Sequence, residues 1–363
     1  MTERRPRRID GDAARVILRF AAALAVGAIG GLLFWWLRAP LPWVLGSMAA
    51  CAVGSVARLP IQASSATRRP MAAVIGVVLG SAFHPDLLVL ARAWIVPIAM
   101  LPFFLLSAAL LCVAYFRRVA KFDPATAYFA GMPGGIAEMV LMGADRGADE
   151  RAIGLIHGAR IFLVVFILPF LIRLFHAPAP IGSGTATVIG AEADWSLLLW
   201  GGGCIAVGLA FGKLLRLPAW HLIGPLAVSA VLHIAGITDF RLPGWAVAAA
   251  QVGLGATIGC RFVGLTLPAL FRTLMLAAGS TVILLALTIL WSLVVGRLSG
   301  IDPALLMLAY SPGGLAEMSM VALSLALEPG FVIIHHLTRV VLVLIAAPLG
   351  FARGKAPDAT HPL

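Results

Sequence analysis

Charge is what this sequence has least of. Only 12% of its 363 residues are Asp, Glu, Lys or Arg, against roughly 25% in ordinary soluble domains. So few charges cannot cover a water-facing surface, and a soluble globular protein is excluded. A nucleotide engine is missing too: there is no Walker loop, no GxGxxG opening a βαβ unit and no HExxH pair. The four cysteines, Cys51, Cys112, Cys204 and Cys260, lie in apolar segments without CxxC or Cys/His spacing. That placement favours core packing over a metal or redox centre. No series of alternating ten-residue strands is visible, so the spans are not those of a β-barrel.

What the chain has is apolar length. Hydrophobic residues make up 61%, and the mean hydropathy is +1.00. Runs long enough to cross a bilayer, about 20 residues for a helix, occur near 16–37, 93–116, 151–172, 195–215, 270–295 and 331–351; shorter ones lie near 41–57, 69–83, 219–236 and 244–262. The expected fold is an all-α integral membrane protein with about 10–12 transmembrane segments, its main partner the lipid bilayer. The net charge of +11 does not call for nucleic acid. The basic residues flank the apolar runs instead of lining one face, which makes them topology charges. Residues 1–15 are basic and precede a full-length span without a small-residue cleavage site, which predicts an anchored, cytoplasmic N-terminus in a bacterial inner membrane.

The chain is also written twice. The stretch GMPGGIAEMVLMG, residues 131–143, returns as SPGGLAEMSMVAL, residues 311–323, and the offset from Glu138 to Glu317 is 179. In that register Asp123-Pro124 meets Asp302-Pro303, His157 meets His336, Arg160 meets Arg339 and Pro169 meets Pro348. Upstream the offset shifts by one, with LRAPLPWVLGSMA from Leu37 set against LRLPAWHLIGPLA from Leu215. The resulting organisation is a first repeat at 16–172, a linker at 173–194 rich in Pro, Gly, Ser and Thr, a second repeat at 195–350 and a polar tail at 351–363. Duplicated halves flanking a central site are the usual construction of secondary transporters. Whether the second half is inverted depends on whether the Pro-Gly-Gly segment crosses the bilayer or turns back; the expectation is inversion, with five crossings per half.

Pro133, Gly134 and Gly135, with Pro312, Gly313 and Gly314, mark points where a helix must unwind, because proline removes a donor and glycine admits other conformations. Lipid does not tolerate such a break, so it must be buried in protein or line a wet cavity. Glu138 and Glu317 follow in the first turn of the next half-helix. One reading is that they complement the helix dipole; the other is that an ionisable group at bilayer depth is functional. His157 and Arg160, like His336 and Arg339, are three residues apart and so share a helix face. Arg160 and Arg339 either neutralise Glu138 and Glu317 as static pairs or bind an anionic substrate while Glu or His exchanges protons. Tyr128 and Tyr310 lie close enough to the breaks to line the same cavity.

The duplicated PGG-[IL]-AEM segments, each followed by His and Arg in an apolar span, resemble the AbrB-type polytopic membrane proteins. The resemblance covers nearly the whole chain. It implies a fold of the antiporter and bile-acid symporter type, with interrupted helices crossing near the membrane centre. Labels attached to that family include regulator of gene expression and ammonia monooxygenase. An oxygenase needs copper or iron ligands, and the sequence offers no His/carboxylate cluster of that type, so no enzyme, metal or cofactor is expected. The expected function is a secondary transporter, an ion-coupled carrier or exporter of a small, anionic solute driven by H+ or Na+, with indirect effects on gene expression. A membrane-embedded regulator or sensor is the alternative. A homo-oligomer remains open.

Overall fold

The computed structural model describes residues 9–63, 65–175 and 195–351. The first eight residues, nearly all of the expected linker and the C-terminal tail lie outside the described residues. All regular structure among the described residues is helical. The first repeat forms α1 (Ile9–Trp36), α2 (Pro42–Val56), α3 (Ser65–Gly80), the single turn α4 (Leu87–Leu90), α5 (Ile95–Arg118), α6 (Pro124–Gly131), α7 (Ile136–Ala144) and α8 (Glu150–Phe175). The second forms α9 (Trp195–Leu214), α10 (Trp220–Ile234), α11 (Gly244–Gly259), α12 (Leu267–Ser299), α13 (Pro303–Tyr310), α14 (Leu315–Ser324) and α15 (Pro329–Phe351).

Six of these contain segments long and apolar enough to cross a membrane: Arg15–Trp36, Ala91–Arg118, Glu150–Arg173, Trp195–Leu214, Leu267–Ser299 and Pro329–Phe351. They are the six long apolar runs of the sequence. Helices α2, α3, α10 and α11 have 15 or 16 residues each, which at 1.5 Å per residue is roughly 22–24 Å, short of the ~30 Å hydrocarbon core. Their length is sufficient because they pack against neighbouring helices inside the bundle instead of facing lipid alone.

The duplication is visible in the backbone itself. Left-handed residues occur in pairs at the repeat offset: Arg38 with Arg216, Leu41 with Ala219, Arg58 with Gly236, Lys121 with Gly300 and Gly147 with Ala326. A side chain in that conformation costs roughly 1–2 kcal/mol. Five coincident pairs therefore mark one inherited chain path, with the helix ends placed identically.

The helices gather into two compact units, and each unit draws on both repeats. The first holds α1–α3 and α9–α11. There α1 and α2 are antiparallel and in backbone contact: a Cβ at Gly30 would overlap the Gly46 carbonyl oxygen, and Cys51 Sγ donates to the Ala23 carbonyl at 3.3 Å. Ser47 Oγ donates to the Val252 carbonyl at 2.7 Å and Ser55 Oγ to that of Gly259 at 3.2 Å, so α2 runs parallel to α11. Since α11 is the repeat mate of α3, and successive crossings α2 and α3 alternate, the mates run in opposite directions. All four cysteines are buried free thiols, as core packing requires.

The second unit holds α4–α8 and α12–α15. Here inversion is direct, because α5 packs against its own mate α12. Trp291 Nε1 donates to Ser107 Oγ at 3.2 Å, Leu284 clusters with Ala108 and Cys112, and Gly279 lies against the Tyr115 hydroxyl. Numbers rise along one helix as they fall along the other, so the mates are antiparallel.

The Pro-Gly-Gly segments turn back. Contacts from α6 to α8 keep a constant spacing of 28, Phe129 with His157 and Met132 with Arg160, so those helices are parallel. Contacts from α7 to α8 run the other way, Gly143 with Ile153 and Val140 with Gly154. Helices α6 and α7 are therefore antiparallel arms of a re-entrant hairpin, whose base is tied where Asp149 N donates to Thr126 Oγ1 at 2.8 Å. Counting α1, α2, α3, α5 and α8 as crossings gives five per half, three of which, α1, α5 and α8, are long and apolar enough to cross a membrane on their own. An eight-residue arm is roughly 12 Å long, less than half of a ~30 Å hydrocarbon core. Because the repeats are inverted, the two hairpins enter from opposite faces. A topology reporter placed within 176–194 should read the face opposite to one fused before α1. The same face for both would require an even number of crossings and overturn the re-entrant assignment.

Candidate functional site

Each hairpin starts with an Asp-Pro pair. Asp123 Oδ1 accepts from Thr126 N at 2.9 Å and Asp302 Oδ1 from Ala304 N at 2.8 Å, while Pro124 and Pro303 fill the first helical position, where no donor is needed. The arms end at Pro133 and Pro312. A proline deprives the carbonyl four residues earlier of its donor, which orphans the oxygens of Phe129 and Leu308. The structure supplies both: His157 Nε2 donates to the Phe129 carbonyl at 2.9 Å, and His336 Nε2 to the Leu308 carbonyl at 3.0 Å.

The arginines one turn further on serve the last carbonyls of the arm. Arg339 donates to Ser311 O at 2.5 Å and to Gly313 O at 2.7 Å. Arg160 donates to Met132 O at 3.4 Å and, through its other terminal nitrogen, to His157 Nδ1 at 2.8 Å. A carbonyl only accepts and a guanidinium only donates, so His157 is neutral with its proton on Nε2. Both arginines are buried, 2% and 7% exposed, and both histidines fully so. A cation at the carbonyl end of a half-helix also meets the negative pole of its dipole.

The acids serve the opposite pole. Glu138 is the third helical residue of α7, and Gly135 is its N-cap; Glu317 and Gly314 stand identically on α14. A Cβ at Gly135 would overlap Glu138 Oε2 and lie 3.0 Å from its Cδ, and one at Gly314 would overlap Glu317 Oε2 and lie 2.9 Å from its Cδ. Each carboxylate is thus folded back over the N-cap glycine, the posture of a capping box. Gly134 and Gly313 make room for the next side chain, Met139 and Met318, whose sulfurs would lie 2.9 and 2.7 Å from an added Cβ. Every letter of PGG-x-AEM beyond the alanine thus has a physical reason in the hairpin turn.

These positions disfavour one of the two readings of the arginines. Arg160 does not neutralise Glu138: no ion pair joins them among the described residues, and the guanidinium goes to the carbonyl pole of the hairpin, the carboxylate to its N–H pole. Arg339 likewise donates to carbonyls, those of Ser311 and Gly313. Tyr310 is fully buried with its hydroxyl on the Pro97 carbonyl at 2.6 Å, and Tyr128 donates to the Ala347 carbonyl at 3.1 Å. They tie the first arms to helices of the other repeat. The acceptors at the site, the oxygens of Phe129, Met132, Leu308, Ser311 and Gly313, carry no side-chain signal. The proline four residues on was the clue to two of them.

His336→Phe should cost roughly 1–3 kcal/mol, the penalty of a buried acceptor left unmade. Adding Pro312→Ala restores a backbone donor, so denaturant unfolding of the double variant should recover part of that loss. Strict additivity would refute the orphan-carbonyl assignment. Arg160→Gln combined with Glu138→Gln should be no more stable than Arg160→Gln alone, since the two charges are not partners.

The comparisons agree with the architecture. The family described as "Transition state regulatory protein AbrB" matches residues 43–353, a range that takes in both hairpins. Protein YhjN of Bacillus subtilis (strain 168), named as uncharacterized, is 28% identical over 352 residues, covering 90% of this chain and 90% of its own. The Escherichia coli (strain K12) protein named "Putative regulator AbrB" is 26% identical over 336 residues, covering 92% of this chain and 95% of its own. With a match over most of its length, a duplicated helical chain and apolar spans throughout, this protein belongs to the AbrB family of multi-pass membrane proteins.

Proposed function

We propose that the chain is a secondary carrier that moves a small solute across a bacterial inner membrane, with the two hairpin tips forming the solute site. One observation carries this reading: two broken hairpins of opposite direction bring half-helix poles, buried arginines and carboxylates into one compact unit. Backbone breaks inside a membrane are tolerated where they line a cavity or are buried in protein, and inverted repeats around such breaks are how carriers open alternately to two sides. A purely structural bundle has no use for two of them.

The charge distribution supports a cytoplasmic N-terminus. With five crossings per half, Arg15, Arg19, Arg58, Arg68, Arg69, Arg117, Arg118, Lys121, Arg146, Arg151, Lys213, Arg216, Arg261 and Arg272 fall on the side of the N-terminus. Arg38, Arg92, Arg173, Arg241 and Arg297 fall on the other. Excess Lys and Arg mark the cytoplasmic face. Coupling to H+ or Na+ would supply the driving force. The name of the Escherichia coli relative favours a second reading, a membrane-embedded regulator; a carrier that alters a metabolite level changes expression without touching DNA.

Purified protein in liposomes, loaded with a bacterial metabolite extract and placed under H+ or Na+ gradients, should exchange at least one solute. Gly134→Val and Gly313→Val should abolish that exchange while the protein stays folded, because the added bulk displaces Met139 or Met318 at the turn. Absence of exchange under every gradient, with folded protein, would favour the regulator. Exchange unaffected by both valines would take the site away from the tips.

A further inference from the structure

The two hairpins differ in their histidines. In the first repeat both nitrogens of His157 are engaged: Nε2 donates to the Phe129 carbonyl at 2.9 Å and Nδ1 accepts from Arg160 at 2.8 Å. In the second, Arg339 turns to the carbonyls of Ser311 and Gly313, and His336 Nδ1 is left without a partner. A further histidine, His335, stands where the first repeat has Ile156. Its Nδ1 lies 2.8 Å from the Phe331 carbonyl, which only accepts, so in the neutral ring the proton is on Nδ1 and Nε2 carries the lone pair. That Nε2 is buried and meets no donor, in a residue 0% exposed. An unmet polar atom at such depth is costly, and the buried Ile156 serves the fold at the matching place without it.

Aromatic rings enclose that lone pair. The His335 ring lies 4.0 Å from that of Phe331 and 6.2 Å from that of Tyr310, and Trp94 and Phe104 pack edge-on against Phe331 and Tyr310 in turn. The one ligand such a nitrogen can take without a cavity is a proton, and the ring faces attract the imidazolium that results. The titratable and charged groups around it are few: Tyr310 on α13, whose hydroxyl is spent on the Pro97 carbonyl, then His336 and, one turn on, Arg339 of α15 itself. Glu328, just before α15 and two turns back, is paired with His84 at 3.6 Å. We infer that His335 is the coupling-proton site of the carrier: Nε2 takes a proton from water when the rings part, becomes an imidazolium, and gives the proton back to water on the other side. An imidazole reached by water titrates in the physiological range, whereas a hard cation such as Na+ seeks oxygen ligands. The inference rests on the carrier reading and names its coupling ion.

The test uses full-length protein in lipid nanodiscs in D2O and follows deuterium entry at C2 of each imidazole by peptide mass spectrometry, between about pH 5 and pH 9. That exchange passes through the imidazolium, so its rate reports protonation residue by residue. His335 should exchange with a sigmoidal dependence on pH, while His157, with both nitrogens engaged, should stay nearly silent. A silent His335 at every pH, or His336 titrating in its place, would overturn the assignment. In liposomes loaded with a bacterial metabolite extract, a gradient of about one pH unit should drive accumulation of the exchanged solute up to about tenfold for each coupled proton. His335→Ile, which matches the first repeat, should keep exchange and lose the response to the gradient; His335→Gln should do the same if the first variant does not fold. A response retained in either folded variant, or wild-type exchange driven by Na+ alone, would overturn the coupling. Titration of His335 in a protein that exchanges nothing would sink the carrier and leave the proton site; exchange without that titration would do the reverse.

Discussion

The constraint on which the structure depends is that a carbonyl or N–H left open inside a membrane must find a partner, at a cost of several kcal/mol if it does not. Pro133 and Pro312 open such groups on purpose. His157 and His336 then return the donor that each proline removes, Arg160 and Arg339 cover the remaining carbonyls, and Glu138 and Glu317 turn back over the N–H end of the next arm. Each hairpin is a small electrostatic circuit: cation on the negative pole, anion on the positive pole, with glycine where either would otherwise collide. The 28-residue spacing from carbonyl to donor, the same in both repeats, is the length of chain needed to finish the hairpin and bring α8 or α15 alongside.

That circuit explains why the units cut across the repeats. A hairpin that enters only halfway needs full-length helices on its flanks, and α5, α8, α12 and α15 provide them; the shorter helices α2, α3, α10 and α11 pack in the other unit. Inversion follows from arithmetic: five crossings and one re-entrant excursion leave the second copy upside down. Antiparallel contact between α5 and α12 is the physical expression of that count. Parallel copies could not make it with two mates that both span the bilayer.

Much of this was legible in the residues. The six long spans, the duplication and its register, the break at Pro-Gly-Gly and the residues around it could be read directly, because hydropathy and repetition are one-dimensional signals. The choice between a crossing and a hairpin could not, since 21 residues from Pro124 to Ala144 suit either by length. The partners of Arg160 stayed open for the same reason. Opposite charges at plausible spacing suggested a Glu138–Arg160 pair, but the competing acceptors were backbone oxygens, which no residue letter announces. Only the proline, read as the removal of a specific hydrogen bond four residues earlier, would have pointed from sequence to the histidines.

The structural and functional readings of the acids start from one geometry. Each carboxylate folded back over its N-cap glycine complements the positive pole of the helix it starts. The two hairpins differ in access and in the grip of the surrounding groups. Glu317 is buried and Arg339 holds the carbonyls of its hairpin at 2.5 and 2.7 Å, whereas Glu138 is half-buried and Arg160 reaches its tip carbonyl only at 3.4 Å. Two copies of one motif thus diverge through packing alone, one held more tightly than the other.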